Sequence, residues 1–361
     1  MEKISIIFAY RNREINRIKA AMDSLKSQKN KEFEVVFVNY GSESGLSANL
    51  EKLLHTYSFV TYYSLEVQQQ LWNKSRALNF GIKKASCTYI FIADVDIVFS
   101  PDAVEVLVNQ ASPEVFCLFA MGYLGEKESA KLSSEFKFEY LEPERCGEVN
   151  GMILSTKDSF FEVKGYDEFY HFYGSEDVDL YARLENAGYR SNLVTDTYFY
   201  HNWHTSYQKS DDKKLSLTPR LSNVLRINQQ HYFYQQREKI TSPKRQDSWG
   251  EIIDKSQSDL LERPTKRFQF SNILAQVEHL FNEQLQGINN EIVEVRIIED
   301  SYYNSTKHKA KRLFSKQSQT YCSLKKVNDI ILKAIIFNYR NSNYSYEISN
   351  DLKSIIFKIQ L

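Results

Sequence analysis

The chain has few of the residues that mark disordered, disulfide-bonded or membrane-spanning proteins. Its 361 residues include only 12 glycines, 6 prolines and 4 cysteines. Such a composition, with 24 tyrosines and 23 phenylalanines, is typical of an ordered, folded protein. No run of about 18 uninterrupted apolar residues occurs, so we expect no transmembrane helix. The first residues lead directly into a predicted strand without the features of a signal peptide, which favours a cytoplasmic protein.

Neither sign of charge is in excess, because 46 Lys and Arg balance 46 Asp and Glu. Nucleic-acid-binding proteins usually carry a basic excess, so no nucleic-acid partner is predicted. The cysteines do not form a pair at the short spacing of metal-binding motifs, and we expect reduced thiols. They are Cys87, Cys117, Cys146 and Cys322.

Predicted strands and helices alternate through the first hundred residues. Apolar runs at residues 4–9, 33–38, 59–65 and 89–93 predict strands. Apolar residues recur at helical spacing over 14–27 and 73–85. Alternation of this kind predicts βαβ units and a parallel sheet, and therefore the α/β fold class.

The pattern becomes mixed beyond Pro101 and changes again from Leu215. We therefore expect one domain over residues 1–214, with halves at 1–110 and 111–214. Residues 215–361 are expected to form a mainly helical accessory region, with predicted strands at 292–298 and 355–359. An amphipathic helix over 271–287 could pack on the first domain or form a homo-oligomer.

One segment departs from the balanced charge of the chain. Residues 301–328 contain seven Lys or Arg and no acid. A solvated basic face is the simpler interpretation. The alternative is peripheral docking on an anionic membrane surface, at the inner face of the membrane, or on an acidic polymer.

Two carboxylates, Asp94 and Asp96, directly follow the apolar run at 89–93. Ligand sites in open α/β sheets lie outside the carboxyl ends of such strands. Two buried carboxylates repel one another unless a cation lies between them. Oxygen-rich sites of this kind suit Mg²⁺ or Mn²⁺. The same pattern also occurs in solvated turns, so the pair alone does not decide the function.

Three further clusters lie along the chain, two before the aspartate pair and one after it. Segment 10–13 (Tyr-Arg-Asn-Arg) offers two arginines for phosphate oxygens or a nucleobase. Segment 72–76 (Trp-Asn-Lys-Ser-Arg) opens a predicted helix, whose N-terminus favours anions. The last cluster joins 171–180, rich in acids, to 201–204 (His-Asn-Trp-His). Taken singly, these could be surface arginines, a core tryptophan, an acidic helix start and polar caps or ligands of an unrelated zinc site.

In combination the clusters resemble those of the β-1,4-galactosyltransferases and of family 2 glycosyltransferases with a galactosyltransferase-type C-terminal half. The resemblance spans residues 3–206. Segment 10–13 is similar to Phe-Arg-Asn-Arg, and 72–76 to Phe-Asn-Arg-Ala-Lys. Asn150-Gly151 and 164–166 lead into 173–179, which is similar to Trp-Gly-Gly-Glu-Asp-Asp-Asp. Segment 201–204 is similar to Met-x-x-His.

The resemblance implies a GT-A fold, a UDP-sugar donor and a Mn²⁺ (or Mg²⁺) cofactor. Asp96 and His204 would ligate the metal, which Asp94 could share, and His201 stands where the family has methionine. Asp177 would be the catalytic base and Glu176 an acceptor contact. Arg11, Arg13 and Arg76 would hold the nucleotide, with Trp72 beside the uracil. The implied donor site comprises Tyr10, Arg11, Arg13, Asn39, Trp72, Asn73, Arg76, Asp94, Val95 and Gly174.

Some positions depart from the family pattern. Asn39 lies in Val-Asn-Tyr-Gly-Ser, where family 2 enzymes usually have Asp-Asp-Gly-Ser. Ser175 replaces a glycine and Val178 replaces an acid. These departures leave the uracil contact and the choice of sugar open.

The sequence therefore predicts an inverting glycosyltransferase that acts on a glycan or a lipid-linked glycan. Transfer of a hexose or N-acetylhexosamine, of galactose or GalNAc type, is favoured. Three alternatives stay open: a retaining N-acetylgalactosaminyltransferase-like enzyme, a nucleotidyltransferase, and a non-catalytic glycan-binding scaffold. Asp177 disfavours the retaining enzyme, which usually has Glu-Asn at this point.

Overall fold

A computed structural model describes residues 2–132, 138, 141–147, 151–205, 208–313 and 320–361. Asn150 and Ser206, which belong to the family resemblance, and part of the basic segment lie outside these residues. The chain divides into two compact units. Unit 1 comprises Met1–Gln68, Trp72–Ser206 and Ile227–Ile252, and unit 2 comprises Gln69–Leu71, Tyr207–Arg226 and Ile253–Leu361. The boundary at 214/215 stays a prediction.

Unit 1 is built on a nine-stranded sheet in the order β3-β2-β1-β4-β8-β6-β9-β5, with β7 paired to β6. Strands β1 to β4 are mutually parallel, whereas β8 is antiparallel to both of its neighbours. The strands are β1 (Ile4–Tyr10), β2 (Phe33–Tyr40), β3 (Val60–Leu65), β4 (Tyr89–Ala93), β5 (Ile97–Phe99), β6 (Val115–Tyr123), β7 (Arg145–Gly147), β8 (Ile153–Thr156) and β9 (Arg190–His201).

Helices precede or follow most of these strands, and the predicted α/β fold class is confirmed. Predicted helices 14–27 and 73–85 correspond to α1 and α3, and the predicted strands correspond to β1 to β4. The helices are α1 (Ile15–Lys26), α2 (Ser44–Leu54), α3 (Lys74–Lys84), α4 (Ala103–Gln110), α5 (Glu126–Lys131), α6 (Lys157–Glu162), α7 (Glu176–Asn186) and α8 (Val224–Arg237).

The core lies on both faces of the sheet, because the central strands are buried throughout. Every residue of β1 is buried, as expected for a central parallel strand. On one face Phe8 and Phe37 pack with Met22 of α1. On the other, Ile7 packs with Ile82 of α3. The carboxyl ends of these strands are thereby fixed relative to one another.

Unit 2 contains a four-stranded sheet in the order β10-β11-β13-β12. Strands β11 and β13 match the predicted runs at 292–298 and 355–359, whereas β10 and β12 were not predicted. The predicted helix at 271–287 begins as α10 and continues with π and 3-10 turns. The elements are α9 (Lys255–Leu260), β10 (Lys266–Ser271), α10 (Leu274–His279), β11 (Ile292–Ile298), α11 (Thr306–Leu313), α12 (Leu324–Ala334), β12 (Tyr344–Ile348) and β13 (Ser354–Gln360).

Candidate active site

The candidate site lies at the carboxyl ends of β1, β2 and β4, within unit 1. Asp94 and Asp96 occupy the turn between β4 and β5. Strand β5 is antiparallel to the end of β9, with Ile97 opposite His201. The amide of Asn202 also donates to the carbonyl of Asp96, at 2.9 Å. This short strand pairing places residues 201–204, which come more than a hundred positions later in the chain, next to the aspartates.

Asp96, His201 and His204 form a cluster with the geometry of a metal site. One ligand atom from each lies within 4.8 Å of the others. The Asp96 carboxylate is 3.8 Å from Nε2 of His201 and 3.4 Å from Nε2 of His204. Asp96 is only 9% exposed, and its Oδ1 has no hydrogen-bond partner among the described residues. A buried carboxylate oxygen without a partner is costly, and a cation would satisfy it.

The protonation state of His201 favours metal ligation. Burial lowers the pKa of His201 and outweighs the opposing effect of the Asp96 carboxylate. Burial therefore favours the neutral imidazole, which is the form that ligates metals.

Asp94 pairs with a lysine and lies outside this three-residue cluster. Its Oδ1 is 2.5 Å from Nζ of Lys74, which is also 3.8 Å from Oε1 of Glu176. Burial alone would raise the pKa of Asp94, but the charge and the hydrogen bond of Lys74, together with weaker charges nearby, hold that pKa below the usual value. Lys74 thus bridges the aspartate turn and the acids of α7. Sequence reasoning placed Lys74 in a motif but gave it no role.

Asn73 and Arg76, which were predicted to contact the nucleotide, are buried and form hydrogen bonds within the protein. Arg76 is 6% exposed, and its Nε lies 2.6 Å from Oε2 of Glu168. Asn73 is 1% exposed; its side chain caps α3 by accepting from the Arg76 amide and also donates to the Glu168 carbonyl. These positions do not fit direct contact with a nucleotide. Both side chains instead connect α3 to the chain that precedes α7.

Tyr10 and Asn39 form hydrogen bonds with the loops that follow β1 and β2. Both are buried. The Tyr10 hydroxyl donates to the Arg13 carbonyl at 2.6 Å, and the Asn39 amide oxygen accepts from the Ser42 amide at 3.1 Å. Ser42 Oγ accepts in turn from the backbone amide of Asn12, whose φ is 51°. These hydrogen bonds therefore connect the two loops. The Arg13 side chain is exposed to solvent.

Arg11 and Trp72 are two predicted nucleotide contacts whose side chains are partly accessible. Both are half-buried. Nη2 of Arg11 donates to the Gln68 carbonyl at 2.7 Å. Trp72 packs edge-to-face on Tyr40, with ring centroids 5.7 Å apart. The side chain of Val95, by contrast, is buried in the core.

Glu176 and Asp177, the acid pair, are the first two residues of α7. Gly174 (φ 97°) and Ser175 (φ 73°) adopt left-handed backbone conformations that reverse the chain before the helix. Burial raises the pKa of Glu176, and the Asp177 charge adds to this, while Lys74 opposes both. Oδ1 of Asp177 accepts from the Val178 amide at 2.8 Å, which fixes the carboxylate at the helix start.

Comparisons with known proteins give one family match and several similar solved structures. Residues 5–168 match the family model described as glycosyl transferase family 2. Among curated proteins no sequence match was found.

Solved structures to which the chain is similar include the mannosyltransferase PcManGT from Pyrobaculum calidifontis in complex with GDP-Man and Mn²⁺ (17% identity, TM-score 0.43). Others are S. aureus TarS (16%, 0.42) and GalNAc-T7 with UDP, GalNAc and Mn²⁺ (13%, 0.43). The matches cover 58%, 56% and 57% of this chain and 60%, 37% and 44% of those chains, respectively. The match to the glycosyl transferase family 2 model runs from β1 to the chain before α7, over a parallel sheet with acids at its carboxyl edge, and the chain spans only part of the length of the similar solved structures.

Proposed function

We propose that the enzyme is a metal-dependent, inverting glycosyltransferase that uses a UDP-sugar. It would transfer a hexose or N-acetylhexosamine, with galactose or GalNAc favoured, to a glycan or lipid-linked glycan acceptor in surface polysaccharide synthesis. The observation that carries the proposal is the Asp96, His201 and His204 cluster beside the acid pair of α7. The galactosyltransferase-like motifs support the sugar class.

Asp96, His201 and His204 fit a divalent cation by their chemistry. Mixed carboxylate and imidazole ligands favour Mn²⁺ over Mg²⁺. When bound, the metal would neutralise the negative charge that grows on the leaving diphosphate.

The residues around this cluster have separate tasks in the proposed reaction. Arg11 and Arg13 would bind the nucleotide, with Trp72 beside the uracil. Asp177 would take the proton of the acceptor hydroxyl, and Glu176 would contact the acceptor. The acceptor oxygen then forms a bond to the anomeric carbon while the bond from that carbon to the diphosphate oxygen breaks. Attack from the face opposite UDP inverts the anomeric configuration.

The test is UDP release from a panel of UDP-sugars with Mn²⁺, comparing wild type with Asp96→Ala and Asp177→Asn. We expect one donor to be turned over, Asp96→Ala to lose Mn²⁺-dependent release, and Asp177→Asn to bind UDP but release at least ~100-fold more slowly, since a positioned base contributes roughly 10²–10⁴-fold. Equal turnover in wild type and both variants would contradict the assignment.

Product analysis separates the alternatives. Retention of the anomeric configuration would indicate the retaining enzyme, and pyrophosphate release a nucleotidyltransferase. Failure of the folded wild type to bind UDP or any UDP-sugar would support a scaffold.

A further inference from the structure

The loop that leads into the acid pair, residues 171–175, has a strained backbone. Phe172, Gly174 and Ser175 have φ angles of 65°, 97° and 73°, all in the left-handed region. Residues other than glycine rarely adopt this region, because their Cβ atom crowds the backbone there. Such a conformation persists only where the surrounding structure holds it. The loop therefore needs partners outside itself to keep the acid pair in place.

One of these partners is the side chain of Asn228, which lies on α8 and belongs to unit 1. Its Nδ2 donates to the carbonyl of His171 at 3.2 Å and to the carbonyl of Tyr173 at 3.0 Å. An amide nitrogen carries two N–H groups, so one side chain can serve both carbonyls. Asn228 is 0% exposed, and water therefore does not readily replace it.

A second attachment of the loop comes from the chain just before α3. The amide of Phe172 donates to the Trp72 carbonyl at 3.1 Å. The amide of Tyr173 also donates to the His171 carbonyl at 2.9 Å, which closes a tight turn around Phe172. Three successive residues of the loop are therefore bonded, and they are attached to two separate parts of unit 1.

We infer that Asn228 is a positioning residue for the acid pair. By binding two carbonyls of the loop it fixes the left-handed residues that follow, from which α7 begins, and with them the placement of Glu176 and Asp177. All of these residues belong to unit 1. The inference about turnover rests on the proposed function, in which Asp177 is the base, whereas the inference about the loop does not.

The test removes both donors with Asn228→Leu in the full chain, which keeps a side chain of similar size. Buried carbonyls without donors release the loop more readily, so we expect hydrogen exchange of amides 172–177 to accelerate about tenfold. Asn228→Asp is a second variant of nearly identical shape. It places a carboxylate, which only accepts, against the same two carbonyls, and it should accelerate exchange at 172–177 in the same way.

The same variants test the effect on the reaction. A base displaced by about 1 Å can lose roughly 100-fold in rate, so we expect kcat for UDP release to fall at least ~10-fold. The Kd for UDP with Mn²⁺ should stay within about twofold, because the Asp96, His201 and His204 cluster is held by β5 and β9 instead. A loss of kcat without a loss of UDP binding is the pattern expected of a positioning role on the acceptor side.

Gln28→Met is the matched control, because it also removes a buried amide that donates to two carbonyls within unit 1. Gln28 is 2% exposed, and its Nε2 donates to the carbonyls of Ser24 at 3.0 Å and Ser100 at 2.7 Å. Its Oε1 also accepts from the Val104 amide, so the control should cost at least as much stability. We expect it to leave exchange at 172–177 and kcat unchanged.

Unchanged exchange at 172–177 in both Asn228 variants would overturn the inference about the loop. Faster exchange with an unchanged kcat, or an equal loss of kcat in Gln28→Met, would overturn its extension to the acid pair. If the wild type releases UDP from no UDP-sugar, the proposed function fails, while the exchange comparison still decides whether Asn228 holds the loop.

Discussion

At the residue scale, Lys74 and Arg76 differ in role although they stand two positions apart on α3. Residues i and i+2 lie on different sides of a helix. Lys74 reaches Asp94 and Glu176 with a side chain that is 23% exposed. Arg76 is buried and paired with Glu168, which also accepts from Asn79. Lys74 therefore contacts acids of the candidate site, whereas Arg76 stabilises the fold.

We expect Lys74→Met and Arg76→Met to separate activity from stability. Arg76→Met leaves the Glu168 carboxylate buried without its cation, so the free energy of unfolding should fall by about 3–5 kcal/mol. Lys74→Met should cost less stability but abolish UDP release, because Asp94 and Glu176 lose the charge between them. Urea unfolding and UDP release on both variants check this. An active Lys74→Met, or one as unstable as Arg76→Met, would contradict it.

This pair also shows why the sequence predicted the clusters but not every role within them. Asp96, His201 and His204 were named through the resemblance to the galactosyltransferase motifs, and the structure brings their side chains together. That the Arg76 side chain points into the protein could not be predicted, because α3 buries polar residues such as Ser75, Arg76 and Asn79. Hydrophobic periodicity identifies a buried face only where that face is apolar.

At the element scale, the position of α3 depends on a glycine in its interior. A Cβ at Gly81 would lie 2.5 Å from Cγ2 of Ile7 and 3.3 Å from Cγ2 of Val38. The helix can therefore approach β1 and β2 closely, which brings Lys74 to the carboxyl edge of the sheet. Elements with apolar runs, such as β1, could be predicted. Strand β12 was not predicted although its Tyr-Ser-Tyr-Glu-Ile sequence alternates apolar and polar residues; the run is only five residues long, and Ser345 is buried together with its neighbours.

We expect Gly81→Ala to destabilise the protein although alanine is the better helix former. Helix propensity favours alanine by about 1 kcal/mol, whereas overpacking a filled core costs about 1–3 kcal/mol. The net loss in the free energy of unfolding should be up to about 2 kcal/mol. Gly45 of α2 is the control, since nothing lies within 4 Å of an added Cβ there. Gly45→Ala should be neutral or stabilising, and equal destabilisation of both in urea would contradict the packing argument.

At the scale of the whole molecule, charge is balanced overall but not along the chain. Formal net charge is zero, yet α11 presents Lys307, Lys309 and Lys311 as exposed side chains. No helix among the described residues is long and apolar enough to cross a membrane. Association of this chain with a bilayer through the lysines of α11 would be electrostatic, and it would weaken as salt screens the charges.

We propose that α11 binds anionic lipid and brings the enzyme to lipid-linked acceptors. Each lysine near an anionic surface contributes about 1 kcal/mol, so reversing Lys307, Lys309 and Lys311 to glutamate should lower vesicle affinity by at least ~100-fold. The measurement is co-sedimentation with phosphatidylglycerol-containing vesicles at low salt, with phosphatidylcholine vesicles as the neutral surface. Reversal of the exposed Lys26, Lys31 and Lys52 gives a control of the same net charge. If both triple variants lose binding equally, overall charge rather than α11 governs the association, and if neither does, the basic segment is a solvated face.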